Sequence, residues 1–457
     1  MVLWVLAVGW LLFGSALAVL AAIKLHAPGM FAGVEWLTYG RIQPAAWNSL
    51  VLGFGGLAGL GLALWMTVRL SGVPLVGGGV VILGALTWHA GLKLGVLGIL
   101  TGDSTGLEGL ELPRYASPIL LAGWLCIAAW ALIAFDRRVV RETYVSQWYL
   151  LGALFSFPWC FAAGHLVTAF LPLRGVLQAA AQAWYLQNLQ VLWFGFLTLA
   201  AVLYFIPKLT GGAIANRTYA RFGFWGLLAL GGLGGMVRYS GGPFPAWMPS
   251  VAVATSVLTL FPLAAVAVGL FEMLRGRTAK VKASLVLWFV VFAALVWLAV
   301  SALGAVKSLA SVRRLTHLTL FSAGLDQVTF LGGFVMATLG ALYFIVPRLL
   351  GRDWPSALLA KVHFAGCAAA VLLLAVAFLA GGLAHGVALN DAQLPFIDVA
   401  RRYIPFASTG TLAHLLFLAG NAAFVLNLIW ALALNCRAVC VPAAGAWFKP
   451  LPAEVEA

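Results

Sequence analysis

Residues 318–346 read LTLFSAGLDQVTFLGGFVMATLGALYFIV and contain one formally charged side chain, that of Asp326. A helix needs about 20 apolar residues to cross a bilayer, so this stretch predicts a membrane-spanning helix. The same pattern recurs along the chain, which predicts an all-α integral membrane protein built as a bundle of twelve helices. The predicted spans lie near residues 3–23, 45–70, 75–100, 116–135, 146–171, 180–206, 220–239, 248–273, 283–304, 318–346, 356–385 and 405–435.

The composition agrees with a membrane protein. The chain has 457 residues, of which 63% are hydrophobic and 9% are charged, whereas soluble domains carry about 25% charged residues. A soluble enzyme and a nucleic-acid-binding module are therefore excluded, and membrane lipid is the expected surrounding. Because the gaps between spans are short, we expect residues 1–457 to form a single transmembrane domain.

The basic residues orient the predicted bundle. With both termini on one side, that side receives sixteen Lys and Arg residues and the other side receives ten. Cytoplasmic loops are enriched in Lys and Arg, so both termini are expected in the cytoplasm, and the protein is expected in a bacterial cytoplasmic (inner) membrane. No cationic segment precedes the apolar residues 1–23, which favours a first span over a cleaved signal peptide.

The cysteines show no metal-binding spacing, and we interpret all five as free thiols. They are Cys126, Cys160, Cys367, Cys436 and Cys440.

Ionisable and polar side chains within spans are rare, and each is a functional hypothesis. His89 and Lys93 are four residues apart, hence on one face of the third helix. Lys93 could pair with Asp326, although the sequence does not show that they meet. The alternatives are a proton or ion path, metal ligation, or polar bridges between helices. The further intramembrane polar residues on this interpretation are His317, His363 and His414.

Two short segments of the chain are similar to each other in sequence. Leu203-Tyr-Phe-Ile-Pro-Lys-Leu209 is similar to Leu342-Tyr-Phe-Ile-Val-Pro-Arg-Leu349. Proline cannot continue the backbone ladder of a helix, so each copy is expected to end a span at the cytoplasmic face. The similarity has two possible explanations: two helix ends of the same kind, or a bundle with internal pseudo-symmetry.

Several motifs together resemble subunit I of the heme-copper oxidases, specifically the C-type branch, the cbb(3)-type cytochrome c oxidases. The resemblance covers nearly the whole chain after the first helix. The motifs that carry it are Tyr39-Gly-Arg-Ile-Gln-Pro44, Phe54-Gly-Gly56, Trp184-Tyr185, Asn188, Tyr204-Phe-Ile-Pro-Lys208, Phe224-Trp225, Leu315-Thr-His317, Gly340-Ala-Leu-Tyr343, Val346-Pro-Arg-Leu349, Lys361-Val-His363-Phe364 and Leu415-Leu-Phe-Leu-Ala-Gly420.

The resemblance implies two hemes and a copper ion, held by six histidines. Alignment on the motifs places the low-spin heme ligands in the second and tenth helices, the high-spin heme ligand in the tenth, and the copper ligands in the sixth and seventh. None of the six positions holds a histidine in this chain. The aligned residues are Ala46, Gln187, Val237, Arg238, Leu325 and Gln327.

The replacements suit neither iron nor copper. Ala46, Val237 and Leu325 have no donor atom, the two glutamines offer weak amide ligands, and a guanidinium is permanently cationic. No catalytic residue, metal site or bound cofactor is therefore predicted, although lipid or quinone could occupy the vacated space. Instead, we expect a buried polar cluster in one interior pocket, consisting of Arg238, Asp326, Gln187 and Gln327.

Three functions remain open from the sequence. The first is a degenerate, non-redox scaffold or partner subunit of a respiratory electron-transfer complex. Its partner would be a membrane-anchored cytochrome c or a competent oxidase subunit. The second is an active heme-binding terminal oxidase or nitric oxide reductase with non-standard ligands, for which the family reaction would be oxygen reduction. The third is a secondary transporter.

Overall fold

The computed structural model describes the backbone of residues 1–171, 173–214 and 216–447, and side chains as far as residue 438. The described part of the chain is helical without a strand, and it contains twelve helices long and apolar enough to span a membrane. The predicted all-α, twelve-helix architecture is confirmed. The helices are α1 Val2–Lys24, α2 Tyr39–Ser71, α3 Gly78–Thr101, α4 Ala116–Asp136, α5 Val145–Phe170, α6 Val176–Thr210, α7 Arg217–Tyr239, α8 Trp247–Leu274, α9 Leu285–Lys307, α10 Phe321–Leu350, α11 Ala357–Leu389 and α12 Phe396–Trp447.

Three helices form the centre of the bundle. The most apolar window of α10 is 100% buried, and those of α2 and α6 are 89% buried, whereas the other nine described spans are between 33% and 56% buried. A helix that is apolar on every side is stable when protein surrounds it completely. The continuous buried run of α10, from Phe330 to Val346, therefore lies at the axis of the bundle, and Asp326 lies just before it, near the start of the helix.

Each central helix contains a π-helical turn. These turns lie at Ser49–Phe54 in α2, Leu189–Gly195 in α6 and Thr329–Val335 in α10. In α6 and α10 the turn begins two residues after Gln187 and Gln327. A π turn widens the helix and is common at functional sites, so the aligned ligand positions lie beside irregular backbone.

The two similar segments, residues 203–209 and 342–349, do lie at the ends of helices, but a glycine rather than the proline terminates each helix. The helices α6 and α10 continue past Pro207 and Pro347 and stop at Gly211 and Gly351. Both glycines adopt the left-handed conformation, with φ of 71° and 63°, which glycine adopts without a steric penalty. Each proline leaves the carbonyl four residues before it without its helical partner, and side chains replace that partner: the Tyr144 hydroxyl donates to the carbonyl oxygen of Leu203 at 3.2 Å and the Trp354 indole to that of Tyr343 at 3.0 Å.

His317 lies outside the spans, so its assignment to the membrane was wrong. A short helix, Ala310–Thr316, precedes it, and α10 begins only at Phe321. Between them Leu318 has a φ of 59°, which interrupts any continuous helix at this point. His317 is therefore an exposed residue of the connecting loop.

Four cysteines lie within the described side chains, and all four are free thiols as expected: Cys126, Cys160, Cys367 and Cys436. The side chain of Cys440, and Lys449 with the rest of residues 448–457, lie outside the described part of the structure.

Candidate functional site: two cavities at the aligned ligand positions

The six aligned ligand positions divide between two cavities. Cavity A, of ≈ 140 Å³, lies between α6, α7, α8, α9 and α10. Cavity B, of ≈ 80 Å³, lies between α1, α2, α10, α11 and α12. The lining of cavity A includes Gln187, Val237, Arg238 and Leu325, and that of cavity B includes Ala46 and Gln327. The three positions aligned with copper ligands thus share one cavity, and the two tenth-helix positions, one for each heme, lie in different cavities.

An ion pair closes one side of cavity A. The guanidinium of Arg238 donates to the Asp326 carboxylate, and the two side chains are only 23% and 28% exposed. The Glu108 carboxylate lies 4.0 Å from the same guanidinium. The amide of Gln190 donates to the backbone carbonyl of Asp326 at 3.1 Å. Arg238 is therefore neutralised by two carboxylates where the alignment places a copper ligand.

The end of α7 brings Arg238 to this position. Residues Gly231–Tyr239 form a 3₁₀ segment, a tighter winding than the α-helix. Its glycines allow close approach to α6, since a Cβ at Gly235 would lie 2.4 Å from the carbonyl oxygen of Ala183. Gln187 of α6 donates to the carbonyl of Gly231 at 2.8 Å, so its amide nitrogen is occupied by α7.

Gln327 does not line cavity A with the other three members of the expected polar cluster. It lines cavity B and a smaller cavity of ≈ 50 Å³ that also contacts Arg238 and Asp326. Its carbonyl oxygen Oε1 is buried without a hydrogen-bond partner. His414 of α12 lines cavity B as well and is 8% exposed. Gln327 therefore meets Arg238 and Asp326 only at the smaller cavity, and it shares no cavity with Gln187.

The loop between α3 and α4 also belongs to the site, although no motif in its sequence indicates this. This loop carries Glu108, which lies beside Arg238, and Glu111, which is 4% exposed. Asn48 of α2 donates to Glu111 at 2.9 Å. Gln182 of α6 donates to the backbone carbonyl of Glu108 at 3.0 Å. Glu111 therefore packs against the core, whereas the partly exposed Glu108 lies at the edge of the site.

Burial raises the pKa of both loop carboxyls. For Glu108 the loss of hydration outweighs the opposing attraction of Arg238. For Glu111 it outweighs the hydrogen bond from Asn48, which favours the carboxylate. Both groups are consequently easier to protonate than ordinary glutamates.

The residues at the six aligned positions do not fit the heme and copper that the family resemblance implies. Heme iron in proteins is held by histidine, cysteine, methionine or tyrosine, and none of the six aligned positions holds one of these. Among the described residues, no group of three or more His, Cys, Asp or Glu side chains is arranged to hold a metal ion. Arg238, at one of the three positions aligned with copper ligands, is cationic and already paired with Asp326.

The remaining polar residues predicted within the membrane lie elsewhere. His89 and Lys93 line a groove between α1 and α3, so the Lys93–Asp326 pair is not formed, and Asp326 pairs with Arg238 instead. His363 is fully buried and shares a hydrogen bond of 2.9 Å with the hydroxyl of Tyr343. That contact is a polar bridge between α11 and α10.

Comparison with known proteins identifies the family. The model of the family described as cytochrome c and quinol oxidase polypeptide I matches residues 1–416. The chain belongs to this family.

Individual relatives within this oxidase family are distant in sequence. The chain is 23% identical to the cbb3-type cytochrome c oxidase subunit CcoN1 of Stutzerimonas stutzeri, over 85% of this chain and 84% of the relative. It is 24% identical to cytochrome c oxidase subunit 1 of Rhodobacter capsulatus, over 92% of this chain and 82% of the relative. The resemblance to the cbb(3)-type subunit I that the motifs indicated is confirmed.

A solved structure shares the fold. The chain superposes on a heme-copper terminal oxidase, determined as a dimer by cryo-electron microscopy, with a TM-score of 0.72 and 13% identity. The superposition covers 94% of this chain and 84% of the other. The chain is thus a multi-pass integral membrane protein with the subunit I fold, and the transporter alternative receives no support from these matches.

Proposed function

We propose that this chain is a non-redox member of the oxidase family, which serves as a scaffold or partner subunit of a respiratory electron-transfer complex. Its relatives are bacterial, so its place would be the cytoplasmic membrane of a bacterium. The partner would be a membrane-anchored cytochrome c or a competent oxidase subunit, and lipid or quinone would occupy any vacated space.

The observation that carries the proposal is the Arg238–Asp326 ion pair in cavity A. A fixed cation repels a metal ion from the place where the resemblance implies copper. Two cations at the cavity, Arg238 and Lys307, are matched by two carboxylates, Asp326 and Glu108, so no external cofactor is needed to balance charge. Function is attached to sites rather than to folds, and this site lacks the donors that oxidase chemistry uses.

The test measures the cofactor content of the purified chain. We expect neither a stoichiometric heme in a pyridine hemochrome assay nor copper in metal analysis. The Stutzerimonas stutzeri relative, purified in parallel, serves as the positive control. One heme or one copper per chain would refute the proposal.

A second candidate is an active heme-binding oxidase or nitric oxide reductase with non-standard ligands. The position of His414 in cavity B favours it, since an imidazole there faces the space between Ala46 and Gln327. If the purified chain shows a b-type absorption band, His414→Ala should abolish it. His317→Ala, at an exposed loop residue, should leave the band unchanged.

A further inference from the structure

A groove on the outer surface of the bundle contains two polar side chains at membrane depth. It lies between α1 and α3 and has a volume of ≈ 400 Å³. Its walls are apolar and exposed, with Val5 42% and Leu97 52% accessible. Within it lie His89 and Lys93, one helical turn apart on α3. The described bundle thus presents a cation and an imidazole toward the lipid rather than toward its own core.

The hydrogen bonding of His89 determines what the groove can recognise. The indole nitrogen of Trp10 on α1 donates to Nδ1 of His89 at 3.0 Å. Nδ1 is therefore the acceptor of a neutral imidazole, and the proton resides on Nε2, which is a donor. Together with the ammonium group of Lys93, the groove offers two donors and lacks an acceptor opposite them. A carboxylate is the group that accepts from both.

Among the described residues, no carboxylate forms a salt bridge with Lys93. Neither α1 nor α3 contains an Asp or Glu, and Asp326 is occupied by Arg238. Lys93 is eight residues from the end of α3 at Thr101, about 12 Å along the helix axis at 1.5 Å per residue. A phospholipid headgroup lies near the helix ends, whereas an acid on a second spanning helix can lie level with Lys93. An unpaired charge at such depth is costly in a bilayer.

We propose that this groove binds a transmembrane helix of a partner subunit, and that the helix carries an Asp or Glu level with Lys93. The carboxylate accepts hydrogen bonds from Lys93 and from Nε2 of His89. Gly9 lies in the groove on the α1 side with open space around its Cβ position, and a small residue there lets a second helix approach closely. The proposal rests on the proposed role as a partner subunit, and it identifies the surface and the chemistry of the partner.

The test uses a defined helix as the probe. A synthetic Leu/Ala transmembrane helix of about 20 residues, with one Asp at the depth of Lys93, is incorporated with the full-length protein into phosphatidylcholine nanodiscs. Association is measured by energy transfer between fluorophores. Probes with Asn or Leu at the same position report the contribution of the charge.

We expect the Asp helix to bind the wild-type chain at least tenfold more tightly than it binds Lys93→Met, and Lys93→Arg to retain the binding. Lys361→Met is the matched control, because it removes an exposed lysine from the end of α11. Equal binding of the Asp and Leu helices, or equal loss in Lys93→Met and Lys361→Met, would overturn the proposal. So would Lys93-dependent labelling by a photoreactive isoprenoid quinone without binding of the Asp helix, since the groove would then belong to a lipid-soluble ligand.

This outcome is separable from the cofactor measurement. A chain that contains heme and still binds the Asp helix through Lys93 would refute the non-redox role alone. A chain that contains no heme and does not bind the Asp helix would refute only the proposal that the groove binds a partner helix.

Discussion

Arg238 and Asp326 form a largely buried ion pair where α7 ends and α10 begins, and each side chain keeps the other from being an uncompensated charge. Buried pairs often contribute little net stability relative to apolar packing, whereas the loss of one partner is costly. The pair therefore explains why the charges are tolerated in α7 and α10, and not why the bundle is stable.

We predict that Asp326→Ala destabilises the protein by about 2 kcal/mol, because Arg238 loses its closest acceptor in a poorly hydrated place. Glu108, 4.0 Å away, compensates for part of the loss. Adding Arg238→Met to the same chain should recover much of the stability, since the unpaired cation is removed. The measurement is the free energy of unfolding in detergent.

The matched control for this prediction is Asp398→Ala, which breaks an exposed pair with Arg401 of 3.5 Å. Exposed ion pairs contribute about 0–1 kcal/mol, so its effect should be the smaller one. Equal losses in Asp326→Ala and Asp398→Ala, or a double variant no better than Asp326→Ala, would contradict the account of the pair.

A second prediction concerns pH and Glu111. Burial raises the pKa of Glu111 from its ordinary value of 4.5, so the folded protein favours the neutral acid. The stabilising contribution is then complete below pH 4.5 and is lost as the pH rises through the higher folded-state pKa. The unfolding midpoint of the wild type should fall across this interval, and Glu111→Gln should flatten the fall.

Glu35→Gln serves as the control for that pH dependence, since the Glu35 side chain is 84% exposed. A Glu111→Gln profile that parallels both the wild type and Glu35→Gln would show that Glu111 does not titrate with folding.

At the level of elements, the bundle depends on helices that touch through their backbones. Gly84 of α3 and Gly123 of α4 face each other, and a Cβ at Gly123 would lie 2.7 Å from the backbone nitrogen of Trp88 and 2.8 Å from the carbonyl oxygen of Gly84. Small residues at such crossings let helices approach within contact distance in membranes. The α3–α4 pair in turn positions the loop that carries Glu108 and Glu111.

We predict that Gly123→Ala destabilises the protein by about 1–3 kcal/mol, because the added methyl group meets backbone that cannot move aside. Gly40→Ala, in α2, is the control, since nothing lies within 4 Å of its Cβ position. That change should be neutral or stabilising by about 0.5–1 kcal/mol, as expected for glycine to alanine in a helix. Thermal unfolding of both variants in detergent provides the comparison, and similar midpoints would argue against close α3–α4 contact.

At the scale of the whole molecule, the orientation in the membrane follows from charge. The sixteen-to-ten distribution of Lys and Arg predicts cytoplasmic termini. A reporter that is active only in the periplasm, fused after Ala457, should therefore be silent, while the same reporter inserted in the loop at Asp103 should be active. The reverse pattern would place the termini on the other side.

The twelve spans, the helical class and the family resemblance were all determined by the sequence alone, because hydropathy, proline and glycine positions are local properties of the chain. The sequence alone likewise shows that the aligned ligand positions lack histidine. Only the tertiary structure decided that Asp326 meets Arg238, 88 residues away, rather than Lys93, and that Gln327 lines cavity B instead of cavity A, where Gln187 lies. The tertiary structure also placed Glu108 and Glu111, from the loop between α3 and α4, beside Arg238 and Asn48. The reason is physical: apolar periodicity specifies which segments cross the membrane, whereas the partner of a buried charge depends on how helices far apart in sequence rotate and pack against one another.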